Sequence, residues 1–180
     1  MHGTPINHCR QCGSAVEHRI PDDGDTKTRA VCSACHTIHY INPLNVVGTI
    51  ALWGDKVLLC KRNIEPRKGK WTLPAGFMEL GETTAEGAAR ETVEEAGAQF
   101  EMQALFSLIN VARVGQVHLF YRATLLSPEF APGTETQEAA LFDEADIPWD
   151  EIAFRTVKET LEHFFADRRA GHFGFHALDI

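Results

Sequence analysis

The chain has 180 residues, 44% of them hydrophobic, and a formal net charge of −8; that length and composition can bury one good core plus a small appendage. The acidic balance argues against a role coating nucleic acid, because phosphate binding draws on surplus Lys and Arg. The longest apolar run, residues 46–53, includes Gly48 and Thr49, and the N-terminal stretch Met1 to His8 carries no apolar signal segment, so a soluble protein that stays in the cytoplasm, away from membranes, is expected.

The first feature in chain order is a pair of CxxC motifs, Cys9-Arg10-Gln11-Cys12 and Cys32-Ser33-Ala34-Cys35, with nineteen residues between them. Redox dithiols are the alternative reading, but neither a secretory signal nor a thioredoxin-like strand–helix–strand context accompanies them. Four thiolates so spaced suit one tetrahedral Zn²⁺ held on two short knuckles. Asp22-Asp23-Gly24-Asp25 supplies a turn between residues 16–20 and 27–31, which predicts a hairpin joining the knuckles, as in a zinc ribbon. A module of about 40 residues needs such a staple to fold, so the zinc is expected to be structural. The cysteines complete the shell, and His8, His18, His36 and His39 receive no role. Asn42-Pro43 marks the end of this module, since a residue before proline is driven out of the helical region. The expected domains are 1–42 and 43–180.

Beyond Pro43, residues 46–53 predict a strand, Gly54-Asp55 a turn and residues 56–62 a second strand, a hairpin by its turn chemistry. Cys60 falls inside that second strand and reads as an inert core thiol. Residues 63–70, Asn-Ile-Glu-Pro-Arg-Lys-Gly-Lys, form a basic loop. It is either a solvated connector or a device in which Arg67, Lys68 or Lys70 steers substrate phosphates. Trp71, at its end, either stacks a ring or anchors the loop.

Thr83 followed by Glu86 is a capping-box signature, residues 85–96 are rich in helix formers, and Gly97 offers a left-handed cap; a helix is predicted over 84–96. Glu91, Glu94 and Glu95 then stand at i, i+3 and i+4, with neighbouring Cβ atoms roughly 5–6 Å apart. Like charges so close repel, and the repulsion falls away if a hard divalent cation sits among the oxygens. For an isolated ExxEE a solvated acidic face is the plainer reading. The whole spacing lifts the metal reading: Gly76, five residues, Glu82, seven residues, then Arg90-Glu91-Thr92-Val93-Glu94-Glu95-Ala96-Gly97-Ala98. This pattern resembles the Nudix box, matching Gly76, Glu82, Arg90, Glu91, Glu94, Glu95 and Gly97 without a gap. Thr92 and Ala98 occupy two slots where the pattern has aliphatic residues.

The resemblance implies an α/β fold, a Nudix αβα sandwich around a mixed sheet, preceded by the small zinc ribbon. It also implies hydrolysis of the pyrophosphate bond of a nucleoside diphosphate derivative with Mg²⁺ or Mn²⁺. It assigns Glu91, Glu94, Glu95 and the Gly76 carbonyl to the catalytic metal, and Glu82 with Arg90 to the pair that holds the helix in place. Family members take their general base from the box or from a later loop, which leaves Glu94, Glu135 and Glu138 as candidates.

After the box, strands at 100–110 and 117–126 flank residues 112–115, where Gly115 suggests a bend or close approach, and Phe120 and Tyr121 point to opposite faces. Residues 131–138 form a polar loop and Asp146 to Trp149 a turn. Phe154, Val157, Leu161, Phe164 and Phe165 recur at helical spacing and predict a helix over 154–168 packed on the sheet. The tail, residues 170–180, is uninformative as sequence, and His172 and His176 read as solvated.

The ribbon, Asn42-Pro43, the run Trp71 to Glu79, Pro132-Gly133-Thr134-Glu135 and Asp146 to Trp149 are together similar to the FAD and ADP-ribose pyrophosphatases of plant chloroplasts and their bacterial relatives, over nearly the whole chain. A ribbon before a Nudix box also resembles the NADH pyrophosphatases, yet their Ser-Gln-Pro-Trp-Pro-Phe-Pro motif is missing, since residues 99–115 contain no proline. The resemblance thus implies ADP-ribose or FAD, cleaved to AMP, with Trp71, Phe77 or Phe120 available to stack a ring; Arg67 of the basic loop is the candidate for the phosphates. NADH or another dinucleotide, and a non-catalytic nucleotide-binding regulator, are the alternatives. A small-molecule nucleotide is the expected partner and nucleic acid is not; many relatives dimerise, so a homodimer is compatible.

Overall fold

The computed structural model describes residues 5–180; the part of the expected ribbon at residues 1–4 lies outside the described residues. The chain divides into two compact units, Met1–Pro43 and Leu44–Ile180. In the first, β1 (Val16–Arg19) pairs antiparallel with β2 (Arg29–Cys32), Val16 opposite Cys32, and β3 (Ile38–His39) adds to the other side of β2. The hairpin is the predicted one, but its second strand starts two residues late. Asp25 is the cause: its carboxylate accepts from the Thr26 and Lys27 backbone N–H groups and from Arg29 Nε at 2.7 Å, so residues 26 and 27 serve the turn instead of the ladder.

The second unit contains β4 (Leu44–Trp53), β5 (Lys56–Arg62), β6 (Trp71–Thr72), β7 (Ala75–Phe77), α1 (Thr84–Ala96), β8 (Phe100–Val111), β9 (Gln116–Leu125), β10 (Thr136–Phe142), α2 (Arg155–Ala170) and β11 (His176–Asp179). The strand order is β10-β5-β4-β9-β8-β11, with β6 beside β5 and β7 beside β4. β4 pairs parallel with β9 and β11 parallel with β8, while the remaining pairs are antiparallel. The sheet is therefore mixed, as the resemblance implies. Gly115 sits at a left-handed φ of 67° with open space around it, so of its two expected uses it serves the bend.

Alternation along the central strands builds the layers. Ile50, Val57 and Leu59 face one side, where α2 lays down Val157, Leu161, Phe164 and Phe165. Ala51, Leu58 and Cys60 face the other, against Ala96 and Ala98 at the end of α1. Each large side chain so buried contributes about 1.5–3 kcal/mol, and the period-2 switch between faces puts one helix on each. The buried thiol of Cys60 is the inert core group expected of it, its pKa pushed up by burial.

Two expectations are corrected by this core. Trp71, 7% exposed, packs edge-on against Phe142 at 4.9 Å between ring centroids, and Phe120, 1% exposed, lies beneath α2. Neither has a free ring face for a ligand, and Trp71 anchors its loop. The stretch 131–138 is not all loop, because β10 begins at Thr136.

The tail, uninformative as sequence, has structure in the fold. It forms β11, held by tertiary contacts: His176 Nε2 lies 2.8 Å from Asp167 Oδ2, which also accepts from the Gly174 N–H, and Asn110 Nδ2 donates to Asp179 Oδ1 at 2.8 Å. His172 is exposed as expected, but His176 is half-buried. No helix among the described residues is long and apolar enough to cross a membrane.

Candidate active site and cysteine cluster

Helix α1 starts and stops where its caps dictate. Thr83 Oγ1 accepts from the Glu86 N–H while Glu86 Oε2 accepts from the Thr83 N–H, closing both halves of the capping box, and Gly97 adopts the left-handed φ of 61° that ends the helix. These local signals set where along the helix the glutamates stand. The hydroxyl of Thr92, in an aliphatic slot of the pattern, is fully buried and satisfied: it donates to the Ala88 carbonyl and accepts from Thr49 Oγ1 at 2.8 Å. A lone threonine in an apolar strand, as Thr49 is, signals such a partner.

Arg90 gathers the site. Its Nε and Nη2 grip Glu82 at 3.0 and 2.9 Å, Nη2 also donates to the Phe77 carbonyl, and Nη1 reaches Glu91 at 2.7 Å and Glu94 at 3.2 Å. A planar, forked guanidinium is suited to this multiple grip. Arg90 holds the Glu82 carboxyl below its ordinary range, and Glu82 in return accepts from the Glu79 N–H, fixing the loop before the helix.

The carboxylates of α1 are unequal. Glu95 is 8% exposed, and its Oε2 accepts from the Ala75 N–H at 3.1 Å. Burial pushes its carboxyl up to about 7. Burial also raises Glu91, against the pull of Arg90, whereas Glu94 has a side chain 59% exposed. Gly76 lies directly over Glu91: a Cβ there would run into the carboxylate unless that side chain moved aside.

One guanidinium thus serves Glu82, Glu91 and Glu94, while Glu95 stays buried with a single backbone donor. Carboxylate oxygens are the ligand type a hard divalent cation takes, although among the described residues only the four cysteines, and not these glutamates, bring their ligand atoms within 4.8 Å of one another. Arg62, unnoticed in the sequence, also draws the Glu95 carboxyl down. It sits at the end of β5 with its guanidinium over the Phe154 ring at 5.1 Å.

The remaining candidates are distributed unevenly. Glu135 is exposed on the loop before β10, yet its charge raises both Glu91 and Glu95. Glu138 stands within β10 opposite Lys61. Phe77, beside Gly76, is 53% exposed with its ring open. Arg67 is exposed, and its side chain makes no hydrogen bond or ion pair among the described residues.

In the N-terminal unit the sulfurs of Cys9, Cys12, Cys32 and Cys35 all lie within 4.8 Å of one another, with Cys9–Cys35 and Cys12–Cys32 each at 3.5 Å. Zn–S bonds of about 2.3 Å in a tetrahedron put sulfurs roughly 3.8 Å apart, so the cluster fits zinc. The Gln11 and Cys35 backbone N–H groups point at the sulfurs of Cys9 and Cys32, and His39 Nε2 lies 3.3 Å from Cys9 Sγ. Buried His39 is therefore a neighbour that supports a ligand, a part no spacing argument assigned it.

Comparison with known proteins follows the same division. Residues 7–41 match the zinc-ribbon family described as "Nudix N-terminal" and residues 43–166 match the NUDIX domain. The chain is 31% identical over 113 residues to an ADP-ribose pyrophosphatase of Methanocaldococcus jannaschii, covering 61% of this chain and 67% of that protein. It is 29% identical over 143 residues to the NAD-capped RNA hydrolase NudC of Vibrio parahaemolyticus, covering 76% of this chain but spanning only 54% of that relative. A NUDIX hydrolase from Nitrosomonas europaea superposes with a TM-score of 0.93 at 49% identity, over 97% of this chain and 99% of that one. With an intact box on α1 and a NUDIX match over most of its length, the chain belongs to the NUDIX hydrolase family.

Proposed function

We propose that this protein hydrolyses the pyrophosphate bond of a nucleoside diphosphate derivative, ADP-ribose or FAD, releasing AMP. In this reading Mg²⁺ or Mn²⁺ is held by Glu91, Glu94, Glu95 and the Gly76 carbonyl, and structural Zn²⁺ by Cys9, Cys12, Cys32 and Cys35. The zinc ribbon occupies residues 1–42 and the hydrolase domain 43–180. The observation that carries the proposal is the pair of largely buried carboxylates, Glu91 and Glu95, beneath the Gly76 strand: burying them is costly unless a cation is their purpose.

The bound ions supply the charge that steadies a pyrophosphate under attack and the acidity that turns water into a nucleophile. The chain's own residues do the rest. Arg90 ties Glu82 and the Phe77 carbonyl to the helix, so the donor oxygens do not have to reorganise when substrate arrives. Glu135, whose charge bears on Glu91 and Glu95, is the favoured base to take the proton of the attacking water, with Glu94 next and Glu138 last. Water adds across the bond: its oxygen ends on one phosphate and the other phosphate leaves. Phe77, exposed beside the site, is the ring left to stack a base, worth about 1–3 kcal/mol. Arg67 steers phosphates from the solvent side.

ADP-ribose comes first because a relative of that name aligns across the box, and FAD second because it shares the ADP half. A small nucleotide is favoured over capped RNA by the net charge of −8. The cytoplasm, where nucleotides and reduced thiolates coexist, is the proposed site of action.

Incubating the purified chain with ADP-ribose, FAD and NADH, each with Mg²⁺, Mn²⁺ or chelator, and measuring AMP by chromatography tests this. Metal-dependent AMP from ADP-ribose or FAD is expected. No AMP from any substrate refutes the enzyme, and a kcat/KM for NADH tenfold above both others, about 1.4 kcal/mol of transition-state preference, refutes the substrate.

A further inference from the structure

We infer that Asn63 is a positioning residue that holds the loop of Glu135 against the end of α1, an inference that rests on the hydrolase reading above. An exposed loop glutamate has no fixed place of its own, yet the loop that carries Glu135 is seated on the end of α1, at the Ala96 and Glu94 carbonyls. Something must hold residues 131–135 down.

Two fastenings lie on the helix side. The Ala131 N–H donates to the Ala96 carbonyl at 2.8 Å, and Gly133 rests on the Glu94 carbonyl so tightly that a Cβ there would collide with it. Both grip the loop ahead of Glu135. Behind it the β10–β5 ladder gives less help, because its register slips between Thr136, opposite Arg62, and Glu138, opposite Lys61, leaving Gln137 unpaired. Bulges of this sort loosen a strand where a side chain must be re-aimed.

Asn63 closes the gap. It follows Arg62 directly and grips two successive carbonyls: its backbone N–H donates to Glu135 O at 2.8 Å and its Nδ2 to Thr134 O at 2.9 Å. Among the described residues no other side chain hydrogen-bonds the backbone of residues 131–135. A residue with a short amide arm is needed for the second bond; an apolar side chain of equal size keeps the first and loses the second. Among the described residues Asn63 makes no hydrogen bond to the carboxylates of α1; its two bonds are to the carbonyls of Thr134 and Glu135.

The test combines Asn63→Leu and Glu135→Gln, singly and together, in the full chain. Asn63→Leu is expected to lower kcat about tenfold at nearly unchanged KM, the size of one lost hydrogen bond in the reacting state. In the same variant amide hydrogen exchange should quicken across residues 131–136 while residues 84–96 keep their protection. In the Glu135→Gln background, adding Asn63→Leu should leave kcat where it is. Unchanged exchange in the loop overturns the latch, and so does an equal loss of kcat in both backgrounds. Glu135→Gln at wild-type kcat overturns the assignment of Glu135 itself, and the latch with it. Should Asn63→Leu fail to fold, Asn63→Ala and Asn63→Ser are read by the same exchange and kcat criteria.

Discussion

The cysteine cluster and the carboxylate cluster are built in opposite ways. The four sulfurs come from two CxxC turns inside one small unit, and their convergence within 4.8 Å is largely written by spacing. The unit has little else to hold it, since its described core amounts to residues such as Ala30, Val31 and His39 around the cysteines. The carboxylates of α1 are also local in spacing, but their state is imposed from outside, by Ala75, Gly76, Glu82 and Glu135. One cluster holds its fold together; the other is held by its fold, in a condition the fold alone would not favour.

That contrast breaks most visibly if zinc is lost. Cys32→Ser should abolish stoichiometric zinc and unfold the N-terminal unit, because structural zinc supplies about 10–16 kcal/mol to such modules. Metal analysis and the unit's amide dispersion in NMR spectra report it, and native protein purified without zinc would undo the ribbon reading. Glu95→Gln should do the reverse, lowering kcat by about 10²–10³, the usual cost of one electrostatic group at a reacting centre. The metal-free protein should melt no lower, since a buried charge is removed without a cavity; activity within a few-fold of wild type counts against the metal assignment.

The pH dependence of the metal-free protein sharpens the same point. Burial holds Glu95 at about 7 against its ordinary 4.5, so between these values the folded chain keeps a proton that the unfolded chain has released. Stability is then full below about pH 4.5 and falls as pH rises through 7, by roughly 3 kcal/mol for such a shift. Glu82, held low by Arg90, acts in the opposite sense, but only below the ordinary value. Urea melts between pH 5 and 8 should show the fall and Mg²⁺ should suppress it; a flat profile would mean that Glu95 carries no such strain.

Two smaller effects separate tertiary from local support. Arg90→Lys cannot keep the fork on Glu82 while reaching Glu91 and Glu94, and should weaken Mn²⁺ binding about 10–100-fold, measurable by electron paramagnetic resonance of free Mn²⁺. Thr83→Ala removes one half of the capping box and should cost about 1 kcal/mol of stability with kcat little changed. If the Thr83 effect exceeds that of Arg90 on metal binding, local capping would outrank the long-range clamp.

The sequence by itself determined α1, because caps, helix formers and glutamate spacing all act within a few residues of one another, and the observed helix, Thr84–Ala96, is the predicted one. It determined the two cysteine knuckles for the same reason, and the strands at Leu44–Trp53 and Lys56–Arg62 to within two residues. Only the tertiary structure decided which aromatic is buried: Trp71 and Phe120 have the composition of stacking rings, and nothing local reveals that Phe142 and α2 cover them. Only it turned the tail into β11, since four residues carry no periodicity and the fastening comes from Asp167 and Asn110. And only it put Glu135 on a loop gripped by Asn63, more than seventy residues away along the chain, and Glu138 inside β10 beyond a slipped register, because these are contacts between distant segments that no local pattern records.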